Sequence, residues 1–216
     1  MTTPVKRQYD SPRRREQAQE TRLRIIGAAH DLFLAKGYGQ TTIAEIARTA
    51  DVAVETVYAA FANKRTLLHQ VWWVSFRGDE EDIPLLDRPE GRAMLAEPDL
   101  GVRLMAHASL MTPVFRRITP LLTALRGAAA SEPVAAAILA EFDERRLDAA
   151  ATQARAAAAT GRLAVSEADC RDILWATMDG TLWHRLVAER GWSDQRFATW
   201  LGQWLTSALV TAAAQP

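Results

Sequence analysis

Apolar residues recur at helical spacing along most of the chain, and three well-marked stripes lie close together near its start. Ile25, Ile26, Ala29, Leu32 and Phe33 follow i, i+1, i+4, i+7 and i+8, and Lys36-Gly37 closes that stripe with a candidate left-handed cap. Ile43, Ile46, Ala47 and Ala50 repeat the spacing over a shorter span, with Glu45 and Arg48 directed elsewhere. Thr42 followed three residues later by Glu45 is a capping box, so the second helix is expected to begin near Thr42. Asp51 and Val52 interrupt the pattern, and Val57 and Phe61 begin a third stripe. Two helices this short must cross sharply, and the third depends on the apolar faces of its neighbours to stay folded.

The other face of the third helix carries Val54, Glu55, Thr56, Tyr58 and Ala59, a sparsely charged set suited to base edges, thymine methyls and phosphates. Lys64 sits just beyond, where a phosphate contact is expected. Three helices sharing one small core, from about Arg13 to Arg77, fit a helix-turn-helix module.

Leu67, Leu68, Val71 and Trp72 continue the pattern as a linking helix, which the acidic run 78–82 ends as a loop. Further helices are predicted near 91–96, 99–111, 113–129, 133–160, 167–178, 181–189 and 194–213. No long alternating strand pattern occurs, so the chain is assigned all-α: an N-terminal three-helix DNA-binding domain and a C-terminal helical bundle. The expected division is a flexible basic arm (1–12), the helix-turn-helix domain with its linking helix (13–77) and a larger helical domain (78–216). Alanine enrichment over 128–159 suits a long surface helix. The last helix carries Phe197, Trp200, Leu201, Trp204, Leu205, Ala208 and Leu209, a stripe too broad for one helix to bury alone. It packs either within its own subunit or against a second copy.

Charge sharpens this division. The net charge is +0, yet residues 1–77 hold 12 Lys and Arg against 7 Asp and Glu, and the remainder holds 14 against 19. Much of the basic excess is assigned to the arm, at Lys6, Arg7, Arg13, Arg14 and Arg15, where it can follow a phosphate backbone. A hydrophobic content of 49%, a single cysteine and no apolar run near membrane-spanning length fit a cytoplasmic protein without a membrane partner. Cys170 is read as a structural thiol. There is no glycine-rich phosphate loop, Cys/His metal cluster, GxSxG turn or HExxH helix, so no catalytic residue, metal or cofactor is expected.

Gly37-Tyr38, Thr41-Thr42, Ile46-Ala47, Ala50, Val52, Thr56-Val57-Tyr58, Phe61, Lys64 and Leu67-Leu68 together resemble the TetR family of transcriptional regulators. The resemblance implies phosphate contacts at Thr42, Tyr58 and Lys64, with Thr41 beside them, and base reading by Val54, Glu55 and Thr56. It also implies a homodimer on a palindromic operator, with the last two helices of each subunit forming a four-helix bundle that includes the 197–209 stripe. A small, partly apolar effector is implied in the C-terminal domain, which releases a repressor by changing the separation of the recognition helices. On the helices that enclose such a pocket fall Trp72, Met105, Met111, Phe115, Trp175 and Met178, with His107, Ser109, Asp179 and His184 as polar candidates. The chain departs from the family pattern at Asp51 and Glu55, where glycine is frequent, and at Ala53, where a serine-type cap is usual. A helical ligand-binding or protein-interaction module is the rival class, and a DNA-binding dimer without ligand response is a third.

Overall fold

A computed structural model describes residues 12–81 and 83–211, so Lys6 and Arg7 of the proposed arm and Asp82 of the acidic run lie outside the described residues. Ordered along the chain are α1 (Pro12–Lys36), α2 (Ile43–Thr49), α3 (Val54–Phe61), α4 (Lys64–Arg77), α5 (Pro89–Ala96), α6 (Leu100–Ala129), α7 (Pro133–Ala158), α8 (Glu167–Thr177), α9 (Thr181–Trp183) and α10 (Asp194–Leu209). A π-helical turn, His184–Glu189, continues α9. Among the described residues the sole β-type pairing is an isolated bridge between Leu163 and Val210, and no helix is long and apolar enough to cross a membrane. The all-α assignment therefore holds.

The chain divides into two compact units, 1–71 and 72–216. In the first, Ile25, Ala29 and Phe33 of α1, Ile46 and Ala47 of α2, Val57 and Phe61 of α3, and Leu67, Leu68 and Val71 are buried, as their spacing predicts. Gly37 closes α1 with φ +83°. Arg13, Arg14 and Arg15, counted above with the basic excess of the arm and lying at the start of the 13–77 segment, are exposed residues in the opening turn of α1.

The second unit is built around α6. Separate helices were expected on either side of Pro113, yet α6 runs unbroken through Pro113 and Pro120. Each internal proline removes a hydrogen bond and costs about 3 kcal/mol. Burial on both sides of the helix offsets that cost: Leu104, Val114, Phe115, Ile118, Leu121, Leu122 and Leu125 are all enclosed. Phe115 meets Phe197 of α10 edge to face at 6.2 Å. Trp72 stacks on Phe142 of α7 with ring centroids 4.0 Å apart, and Arg117 of α6 donates to the carbonyls of Ser75 (2.7 Å) and Phe76 (3.0 Å) at the C-terminal end of α4. The acidic loop is tied down by a two-pronged pair, Arg88 Nη1 and Nη2 to Asp79 Oδ2 and Oδ1 at 2.6 and 2.7 Å. That guanidinium holds the Asp79 carboxyl below its usual range.

Candidate nucleic-acid interface

The corner that carries α2 and α3 is built from local hydrogen bonds. The capping box forms as predicted: Glu45 N–H donates to Thr42 Oγ1 at 3.2 Å and Thr42 N–H donates to Glu45 Oε2 at 3.0 Å. Lys36 donates to the other carboxylate oxygen. Together, Lys36 first and then the Thr42 donors, they pull the Glu45 pKa down to about 2. Asp51 takes up φ +53° in the turn between the helices, which explains why glycine suits this position and why aspartate, tolerant of left-handed backbone, can replace it.

The start of α3 has no side-chain cap, because Ala53 offers none. Its end is held instead. Arg22 of α1 donates to the Ala60 carbonyl at 3.1 Å and lies 4.4 Å over the Phe61 ring, satisfying an end carbonyl and placing a cation at the negative end of the helix dipole. Ala62 follows with φ +57° and ψ −45°, and Asn63 N–H turns back onto the Phe61 carbonyl, a positive-φ γ-turn. Asn63 Oδ1 then caps α4 by accepting from Thr66 N–H at 2.9 Å.

The face this leaves outward holds Glu55, Tyr58 and Ala59 exposed and Val54 and Thr56 half-buried, and Thr42 at the start of α2 is exposed too. Tyr58 retains 50% exposure, the largest share of any aromatic residue among the exposed large hydrophobics. Two expected contact residues are engaged inside the protein. Thr41 is fully buried, and its hydroxyl donates to the carbonyls of Gly37 (2.8 Å) and Leu32 (3.2 Å); the side chain braces the turn after α1 and has no surface to offer. The Lys64 ammonium donates to the carbonyls of Tyr38 (2.8 Å), Gly39 (3.4 Å) and Thr41 (2.9 Å) and lies 4.3 Å over the Tyr38 ring. Its N–H groups face these acceptors, so it holds the start of α4 to the α1–α2 turn. Sequence reasoning missed Arg22 and Asn63. Asn63, three residues before Thr66 and just ahead of a new apolar run, is a readable cap signal; Arg22 carries no such local signal.

In the second unit the ten pocket candidates scatter. Ser109 is exposed and donates back to the Met105 carbonyl at 3.1 Å within α6. Asp179 pairs with Arg126 at 3.0 Å and accepts from Thr181 N–H at 2.9 Å, at the start of α9. His184 lies 3.4 Å from Glu189 within the π-helical turn. Phe115 and Trp72 belong to the packed core, Met105 lies against Gly202 of α10, and Met111 is half-buried. Trp175 lies beneath the Arg146 guanidinium at 5.2 Å. His107 and Met178 do meet, with Nε2 and Sδ 3.2 Å apart in the interior. His107 also lines a small cavity with Met94, Leu95, Arg103, Leu104, Gln153 and Leu174, among others. Nothing in the periodicity distinguished these residues from ordinary core.

The proposed dimer stripe splits as well. Phe197, Leu201, Leu205 and Leu209 are completely buried within the protomer, where α10 packs along α6, so the single-subunit alternative describes them. Trp204, at 41% exposure, and the half-buried Trp200 stay on the outer side of α10.

Residues 25–71, which span α2, α3 and the packed faces of their neighbours, match the model for bacterial regulatory proteins, tetR family. The chain is 45% identical over 56 residues to the HTH-type transcriptional regulator TtgR of Pseudomonas putida, a match that spans 26% of this chain and 27% of TtgR, so it covers only about a quarter of that relative's length. Over nearly the whole chain the fold resembles a structure from Syntrophomonas wolfei assigned to the TetR family (TM-score 0.69, 21% identity, 88% of this chain and 95% of that one). It also resembles a SmeT–triclosan complex (TM-score 0.65, 21% identity, 88% and 92%). Residues 25–71 thus carry the sequence pattern of bacterial regulatory proteins, tetR family, and over most of its length the chain is similar in fold to structures assigned to that family.

Proposed function

We propose that this protein is a ligand-responsive transcriptional regulator, acting as a homodimeric, cytoplasmic repressor on a palindromic operator. The observation that carries the reading is the outward face of α3, where Val54, Glu55, Thr56 and Tyr58 stay accessible on a helix anchored from behind by Arg22 and Phe61. Tyr58 and Thr42 take the phosphates, and Val54, Glu55 and Thr56 read base edges. Glu55 would be repelled by phosphates, so its favourable partner is a cytosine amino group. Arg13, Arg14 and Arg15 add a sequence-independent attraction along one exposed helical turn.

Dimerisation uses the outer side of α10 around Trp200 and Trp204, since the inner side is already packed. Two α3 helices related by a two-fold axis would read half-sites about one helical turn apart, or a multiple of it. Binding of triclosan by SmeT, a protein of similar fold, supports a small-molecule effector in the 72–216 unit. The effector must bind the operator-competent and incompetent states with different affinity.

The test is selection of tight binders from a randomised duplex pool at physiological salt, followed by sequencing. A recovered palindrome supports the reading; weak, salt-sensitive binding with no motif overturns it. Glu55→Gln and Thr56→Ala should shift the selected sequence, whereas Tyr58→Phe should weaken binding to all sequences alike.

A further inference from the structure

The cavity beside His107 lies wholly within the second unit, between α5, α6, α7 and α8. At about 20 Å³ it has room for roughly one water molecule. Most of its wall is apolar, with Met94, Leu104 and Leu174 in it. The polar lining groups are His107, Arg103 and Gln153, and none of the lining side chains is a carboxylate.

His107 is 3% exposed and its Nδ1 has no hydrogen-bond partner. The tautomer follows from the other nitrogen. Nε2 faces the Met178 thioether at 3.2 Å, and a thioether can only accept, so the proton belongs on Nε2. Nδ1 is therefore a bare, buried lone pair on a residue that lines the cavity, a costly state unless something donates to it. Burial keeps the ring uncharged, pushing its pKa down to about 4. Arg103 offers little to an anion, because its Nε and Nη2 donate to the Glu97 carbonyl at 3.0 and 2.6 Å and its Nη1 to the Ala156 carbonyl at 3.2 Å. Its fixed positive charge, with no carboxylate nearby in the wall, equally disfavours an organic cation.

We propose that this cavity is the effector site and that it selects uncharged molecules with an apolar body and one hydroxyl-type donor, which His107 Nδ1 accepts. The proposal deepens the ligand-responsive reading and rests on it. A ligand larger than water enters by displacing Met94 and Leu95 on α5, a helix of only eight residues. Leu95 is 36% exposed, and methionine is the side chain that repacks most readily.

The experiment is calorimetric titration of the full-length protein, without DNA, with 4-propylphenol, propylbenzene and 4-propylbenzoate. The phenol should bind at least tenfold tighter than the hydrocarbon, with the benzoate weakest. In His107→Leu the phenol should fall to the level of propylbenzene while the hydrocarbon still binds, and Met94→Trp, which fills the cavity, should abolish both. Circular dichroism checks that each variant folds; if His107→Leu does not, the wild-type ranking and the Met94→Trp loss decide. Equal binding of phenol and hydrocarbon, preference for the benzoate, selectivity that survives in His107→Leu, or no binding of any probe would overturn the proposal. A protein that binds the phenol but selects no duplex sinks the regulator reading and spares the site. One that selects a palindrome and ignores all three probes does the reverse.

Discussion

The two units treat their polar side chains in opposite ways. Around α2 and α3, Arg22, Thr41, Thr42, Asn63 and Lys64 each end on a backbone group or a capping partner, so the corner is rigidly specified. In the 72–216 unit, His107 Nδ1, Thr119 Oγ1 and Trp175 Nε1 are buried without a hydrogen-bond partner. A fully satisfied network fixes one geometry, whereas stranded polar atoms inside a core leave it open to whatever can satisfy them. The first unit holds one surface in place, and the second keeps buried polar atoms that a bound molecule, as proposed above, would satisfy.

The strongest way to break this contrast is to attack the shared core of α6 and α10. Phe197→Ala should destabilise the protein by about 3–5 kcal/mol in chemical denaturation. Trp204→Ala should leave unfolding within about 0.5 kcal/mol at fixed dimer content and instead raise the dimer dissociation constant, read by sedimentation. A large monomer destabilisation from Trp204→Ala would mean that the outer side of α10 is core too.

Next in size is the acid response of His107. Its pKa is depressed from 6.5 to about 4, so the unfolded chain takes up the proton first. The stability this group contributes is complete above pH 6.5 and is lost as pH falls through 4, a swing of about 3 kcal/mol. Denaturation across that window in wild type and His107→Leu should show a flatter profile for the variant; identical slopes would mean that the ring is not buried neutral.

Lys64→Gln sharpens the comparison in the other unit. A lysine facing phosphate contributes about 0.9 to the slope of log affinity against log salt. Held by three carbonyls, Lys64 should instead cost affinity with the slope unchanged, alongside lower thermal stability of the unit. A slope reduced by one phosphate contact would return Lys64 to the DNA surface.

The smallest effects lie in the turns. Thr42→Ala should cost about 1 kcal/mol through the lost cap. Ala62→Gly should stabilise by about 1 kcal/mol by relieving positive φ, measured by thermal denaturation. The Glu45 carboxylate, down to about 2 from 4.5, supports the helix start above pH 4.5, and that support fades as pH falls through 2. An amide titration of wild type against Glu45→Gln would follow it.

What was legible in the sequence follows the same divide. Local rules carried α2: Thr42 and Glu45 sit three apart and bond as that spacing requires. They could not decide Thr41 or Lys64, because which acceptors surround a hydroxyl or an ammonium depends on chain segments 4 to 26 residues away. Proline punctuation misread α6 because tertiary burial outweighs a local break. The 197–209 stripe was visible, but periodicity gives the width of an apolar face and not the identity of its cover. The cavity was illegible for the same reason, since Met94, Leu104 and Leu174 have the spacing of ordinary core.

The anchoring of α3 at its far end has a consequence for how such a protein can change over time. With Ala53 supplying no cap and Arg22, Phe61 and the Ala62 turn holding the other terminus, the first turn at Val54, Glu55 and Thr56 contributes little to keeping the helix in place. Substitutions there are expected to be nearly free of folding penalty. If the proposed base contacts are right, this first turn is a replaceable cartridge on a fixed mount, open to drift toward new operators and to deliberate reprogramming.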